Sequence, residues 1–308
     1  MESVRSHVDS DAPDRGGVAS GISAYVLWGL ITVYWKVLRD FAPLELIGFR
    51  ITLSAVLLVA ILAWQSRVVA MFRRLRSEHL WGRIVLASVV LAINWTTYVV
   101  VVHEGKVIEA ALGYFIAPLG TMLLGVKVLK ERLRPIQVAA AGLAAIAVVI
   151  LTASYGRVPV YALAMAASWC VYGLLKRQIS LSPTESLASE TLVLVIPALV
   201  LIAFHLRYES SVFRSASATE FMLVALAGVV TAVPLLLFAH ASQHLPLTVL
   251  GPMQYSVPVI NFLLGWLAYH EKLTPSRVIG FGLVWIALIV VTVDSINRAR
   301  RSSIVSNQ

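Results

Sequence analysis

Read for its apolar and polar positions, the chain is a series of long apolar stretches broken by short charged ones. A helix needs roughly 20 apolar residues to cross a bilayer core of about 30 Å. Ten windows of that kind run over about 18–38, 44–64, 81–102, 107–129, 136–153, 158–176, 186–206, 219–241, 247–269 and 277–296. Each predicts one spanning helix, and the segments between them are too short to hold a soluble domain. Residues 1–17, MESVRSHVDSDAPDRGG, are polar and mixed in charge and predict a disordered lead-in, and residues 297–308 form a basic tail. No basic start, short apolar core and small-residue cleavage site precedes the first window, so that span is expected to be retained.

Composition agrees with this pattern. Hydrophobic residues make up 59% of the 308 and charged ones 13%, against about a quarter charged in soluble domains, and mean hydropathy is +0.83. The single cysteine, Cys170, lies inside a window, which excludes an intramolecular disulfide and paired-cysteine metal chemistry. The net charge of +9 could suggest nucleic acid, but the placement of the charges points elsewhere. With the N-terminus in the cytoplasm, sixteen of the 25 Lys and Arg residues fall on the inside, chiefly Arg67–Arg83, Lys127–Arg134, Lys176, Arg177 and Arg298–Arg301. Seven fall outside, and Lys36 and Arg50 lie within spans. That bias follows the positive-inside rule, so both termini are expected in the cytoplasm of a multi-pass inner or plasma membrane protein. The basic excess reads as a topology signal, and no nucleic-acid partner is expected.

The chain also aligns with itself. At a shift of 140, KERLRPIQVAAAGL meets HEKLTPSRVIGFGL, Pro118 meets Pro258, Gly125 meets Gly265, and Pro43, Glu45 and Lys36 meet Pro183, Glu185 and Lys176. Five windows per unit is an odd number, so the second unit would cross in the opposite sense. The expected fold is an all-α polytopic membrane protein of ten transmembrane helices, arranged as two inverted five-helix repeats over 18–153 and 158–296. Inverted repeats are common in secondary transporters, with substrate sites at the repeat interface near the midplane.

Several stretches carry a family resemblance. They are AYVLWGLITVYWK, LELIGFR, INW and EAALGYFIAPL in the first half, then WCVYGLLKR, SETLVLVIP, TAVPLLLF and VLGPMQYSVP. On these the chain resembles a RarD-type member of the EamA family in the drug/metabolite transporter superfamily, over almost all of residues 20–296. Two departures stand in the motifs. Ala117 replaces the asparagine that usually precedes the proline, and GPMQYS replaces a more aromatic GFFQYI. The resemblance implies transport of small organic metabolites or drug-like molecules, with export the favoured direction.

The candidate site rests on polar groups in apolar helices. A charged group at a helix centre costs about 2.5–3.5 kcal/mol on insertion scales, so it is usually paired or faces a wet cavity. Lys36, Arg50 and Glu109 belong to the outer half, with Glu109 a counter-ion for Lys36 or Arg50. Glu190 belongs to an inner set with Lys176 and Arg177. The lysines and Arg177 could equally snorkel from helix ends, and Arg50 and Glu190 could serve a pathway or a structural pair. Tyr114, Pro118, Thr121 and Gly125 share one helical face by their spacing, as do Gln254, Pro258, Asn261 and Gly265. Proline-broken, polar-striped helices suit a pathway, because a mid-span proline frees a carbonyl that protein or water must satisfy. Close helix packing through small residues is the alternative. Asn94, Trp95 and Tyr255 add polar and aromatic groups at similar depth, and Trp28 a pocket wall, whereas Tyr34 and Trp35 read as interfacial belt residues.

No glycine-rich nucleotide loop, catalytic triad or metal cluster is present in the sequence, and no cofactor is expected. The expected function is secondary transport by alternating access, with the lipid bilayer and a small-molecule substrate as partners. A homo-oligomer is not indicated. An intramembrane enzyme or a structural scaffold subunit is the competing reading. An enzyme would need paired acid/base or metal groups at one depth, and the Lys36, Arg50 and Glu109 cluster is the one candidate for that.

Overall fold

A computed structural model describes residues 14–103, 107–155 and 158–264, together with 267, 275, 279, 282–283 and 285–286. The side chains of Lys36, Glu109 and Asn261, the lead-in to residue 13, Gly265 and the tail from 287 lie outside the described residues. All regular structure among the described residues is helical. The first six helices are α1 (Arg15–Val37), α2 (Pro43–Trp64), α3 (Val68–Ser77), α4 (Trp81–His103), α5 (Val107–Lys127) and α6 (Pro135–Tyr155). Six more follow: α7 (Val160–Gln178), α8 (Pro183–His205), α9 (Val212–Ser215), α10 (Ala218–His244), α11 (Leu247–Met253) and α12 (Ser256–Leu263).

Local chemistry explains where these helices begin. Each helix start leaves four N–H groups without partners. The Asp14 carboxylate accepts from the Gly17 N–H at 2.7 Å to open α1. Ser182 with Glu185, and Ser217 with Glu220, form reciprocal capping boxes at the starts of α8 and α10, each satisfying two orphan donors. Prolines 43 and 183 occupy the first turns of α2 and α8, where a missing N–H is harmless. The seven-residue helix α11 has no cap from its own flank. Instead the distant Glu131 carboxylate accepts from the Leu247 and Thr248 N–H groups at 3.0 and 2.9 Å.

The helices of the first half find their main neighbours in the second. Helix α2 packs on α8 and α10, α5 on α7 and α11, α1 on α10, and α4 on α7. Close contact is possible because small residues lie at the crossings. A Cβ on Gly48 would stand 2.8 Å from the Ala198 carbonyl oxygen of α8, and one on Gly228 only 2.7 Å from the Leu53 carbonyl of α2. The core between them holds Leu58, Leu62, Ile84, Tyr172 and Phe238. Large apolar residues such as Val56, Ile196, Val200 and Met222 are exposed on the outside, 61–72% in each case. An apolar periphery of this extent marks a membrane-facing surface.

The ten-span expectation is corrected here. Among the described residues, four helices are long and apolar enough to cross a membrane: Arg15–Trp35, Pro43–Trp64, Pro183–His205 and Ala218–His244. A fifth is reached only if α3 and the first part of α4, bent by 107° at their junction, count as one span. The apolar parts of α5 and α6 among the described residues, Leu112–Lys127 and Pro135–Ile150, are shorter. The ninth window is two short helices separated at Gln254 and Tyr255, and the tenth falls mostly outside the described residues. With that count, the inverted five-helix repeats expected from the 140-residue shift are not discernible either.

For the ninth window the reason is physical. A hydropathy window sums side chains and ignores whether the backbone hydrogen-bond ladder continues, and proline interrupts that ladder. Pro252 cannot donate to the Thr248 carbonyl, which instead accepts from the Gln137 amide at 3.3 Å. Tight i to i−3 bonds from Gln254 to Gly251 and from Tyr255 to Pro252 then end α11.

Candidate substrate cavity

Where the two halves meet, α1, α2, α4, α5, α7, α10 and the α11–α12 junction enclose a cavity of about 130 Å³. Its walls are aromatic. Trp28 of α1 meets Trp169 of α7 edge to face at 5.0 Å between ring centroids, and Tyr98 of α4 meets Tyr114 of α5 at 6.2 Å. Such edge-on pairs are the favoured aromatic geometry. Small residues, Gly113 and Ala117, leave room on the α5 side, and Leu235 and Val257 add apolar surface.

Arg50 is the one basic side chain among the described lining residues. Its guanidinium carbon lies 4.1 Å from the Trp95 ring centroid and 5.2 Å from that of Trp35, within the range of cation–π attraction. Its Nε–H is buried and meets no acceptor. Asn94 also lines the cavity, but its amide donates to the Met165 carbonyl at 2.9 Å and the Ser168 hydroxyl at 3.1 Å. Gln254 donates to the Thr121 hydroxyl at 2.9 Å. Both amides are thereby fixed to neighbouring helices and give the wall a rigid polar edge.

Of the residues expected at the site, Trp28, Arg50, Asn94, Trp95, Tyr114 and Gln254 line this one cavity. The α5 stripe divides. Tyr114 opens on the cavity, while Pro118 and Thr121 are buried against α11, with the Pro118 carbonyl 2.9 Å from where a Gly251 Cβ would stand. Tyr255 turns away and donates to the Phe115 carbonyl at 3.3 Å, and Pro258 is buried in α12 outside the lining. The side chains of Lys36, Glu109 and Asn261, also expected at the site, lie outside the described residues. Trp35, read from sequence as a belt residue, is a cavity wall. Tyr25, Tyr98, Met165 and Trp169 also line it, and nothing in an apolar sequence distinguishes them from core residues.

Glu190 does not line the cavity. Its carboxylate accepts from the Lys176 ammonium at 2.8 Å, the Tyr172 hydroxyl at 2.9 Å and the Ser186 hydroxyl at 2.8 Å. Lys176 and Glu190 are both fully buried, and Ser186 also accepts from Lys176 at 2.7 Å. Lys176 therefore does not snorkel. Residues 169, 172 and 176 share one face of α7, so this network lies directly beyond Trp169.

The chain matches the EamA-like transporter family over residues 15–153 and again over 157–293. It belongs to that family. It is 40% identical to protein RarD of Streptomyces exfoliatus over 289 residues, covering 94% of this chain and 91% of that one. It is 36% identical over 294 residues to the uncharacterized transporter YojE of Bacillus subtilis, covering 94% and 98%. One protein solved by crystallography superposes with a TM-score of 0.71 at 23% identity, covering 91% of this chain and 98% of the other. That likeness shows a shared fold, and the cavity of this EamA protein lies among helices drawn from both matched segments.

Proposed function

We propose that this EamA-family protein is a secondary transporter of the cell membrane that moves a small organic molecule outward by alternating access. The observation that carries the reading is the aromatic cavity between the two matched segments. At about 130 Å³ it is comparable with a cavity of about 150 Å³ that takes up benzene, so it accommodates one compact ring or headgroup. Trp28, Arg50, Asn94, Trp95, Tyr114 and Gln254 form the substrate contacts. Outward movement is what the resemblance to the RarD-type carriers implies.

Both termini are placed in the cytoplasm. In support, the basic segment around α3 docks on the α7–α8 turn. Arg67 and Arg74 pair with Glu185 at 3.0 and 3.2 Å, Arg74 donates to the Ser180 carbonyl at 2.7 Å, and Arg83 to the Gln178 carbonyl at 3.3 Å. The basic α3 segment thus shares one end of the bundle with Arg177 in the last turn of α7, as cytoplasmic groups should.

The test is flux across sealed proteoliposomes with a panel of labelled metabolites, comparing wild type with Ala117→Phe, which places a ring in the cavity. Saturable flux that Ala117→Phe abolishes while the protein still folds is the expected result. Equal flux in the two would show that the route lies elsewhere. A C-terminal tag accessible from outside intact cells would overturn the orientation.

A further inference from the structure

The walls of the cavity select a charge. A guanidinium keeps its positive charge at neutral pH, and removing a charge from water costs several kcal/mol unless a partner compensates. Among the described residues, compensation for Arg50 is incomplete. Trp35 and Trp95 hold it through cation–π contact, and among the described residues the ionisable groups facing it are the hydroxyls of Tyr34, Tyr98 and Tyr114. Among the described residues no carboxylate meets it, and its buried Nε–H has no acceptor. The two amides in the same wall donate to α5 and α7 and offer no countercharge.

Resting on the transport reading above, we propose that the substrate is an organic anion: a carboxylate that docks on Arg50, carrying a flat apolar or aromatic body against Trp28 and Trp169. The guanidinium edge presents two N–H groups in the geometry a carboxylate accepts. Trp95 and Trp35 flank the guanidinium at 4.1 and 5.2 Å. A neutral ligand leaves the Nε–H unbonded, and a cationic one meets repulsion with no acidic residue in the described lining. The ring clusters then hold the body by area and edge contacts.

The experiment uses the full chain in lipid nanodiscs and titration calorimetry with benzoate and its near-isosteric neutral amide, benzamide. A hydrogen bond to a charged group contributes about 1.5–3 kcal/mol, so wild type should bind the carboxylate about tenfold or more tightly than the amide. Arg50→Gln should remove that preference while keeping affinity for the amide, and Arg50→Lys should retain part of it. Equal affinities in wild type, binding of neither probe, or a preference that survives in Arg50→Gln would each overturn the proposal. The wild-type comparison needs no variant, so a misfolded Arg50→Gln leaves the test intact. Flux distinguishes the two readings. Amide flux above protein-free vesicles with no carboxylate flux refutes the anion while transport stands. Carboxylate preference in binding with no flux of any panel member upholds the anion site and refutes transport.

Discussion

Replacing Glu190 with glutamine removes the countercharge from a lysine that water cannot reach. Lys176 and Glu190 are 0% exposed and 2.8 Å apart, and among its described partners Lys176 would keep the Ser186 hydroxyl at 2.7 Å and the Tyr172 ring at 5.6 Å, neither of them a countercharge. Breaking a buried pair by removing one member costs about 3–5 kcal/mol, because the remaining charge stays desolvated. The new amide can still accept from Tyr172, so the loss is mainly electrostatic. At about 2–4 °C per kcal/mol for chains of 150–250 residues, the thermal midpoint in detergent should fall by on the order of 10 °C. Trp169, 5.6 Å from the Tyr172 ring, gives a fluorescence signal close to the change. The double variant Lys176→Met/Glu190→Leu removes both charges and should recover much of the loss, since well-packed apolar replacements of buried pairs are often neutral or stabilising. A Glu190→Gln midpoint within about 2 °C of wild type, or a double variant no better than the single, would refute the reasoning.

Two further outcomes follow from the packing and the caps. Gly228→Ala puts a Cβ 2.7 Å from the Leu53 carbonyl and should destabilise by about 1–3 kcal/mol, the usual cost of overpacking. Gly142→Ala, whose Cβ meets nothing within 4 Å among the described residues, should leave the same thermal midpoint unchanged or raise it slightly through helix propensity. Glu131→Ala withdraws the acceptor of the Leu247 and Thr248 N–H groups and should cost about 1 kcal/mol, as lost helix caps do. Hydrogen exchange should speed up at those two amides, and unchanged protection there would show that Glu131 does not hold α11.

Much of the cavity could be read before any coordinates. Arg50, Asn94 and Gln254 stand out because a polar group in an apolar helix is costly and needs a local reason. Trp28, Trp95 and Tyr114 were found beside them by position. Tyr25 and Trp169 could not be found this way, because an aromatic ring contributes the same hydrophobicity whether it faces a cavity, a core or lipid. Glu131 and Glu185 showed only as markers of the 140-residue shift. Their real partners, the α11 N–H groups and Arg67 with Arg74, lie on distant helices.

Apolar content and basic asymmetry determined from sequence alone that this chain enters a membrane, and its motifs determined the EamA family. These are sums over residues, and they need no knowledge of which helix touches which. The number of continuous helices, the division of the α5 stripe and the pairing of Glu190 with Lys176 were decided by tertiary structure. Helix continuity depends on where a displaced carbonyl finds its donor, as the Thr248 carbonyl does at Gln137. A buried charge likewise takes the partner that packing brings within 3 Å, and packing depends on contacts between segments that no window along the chain can sum.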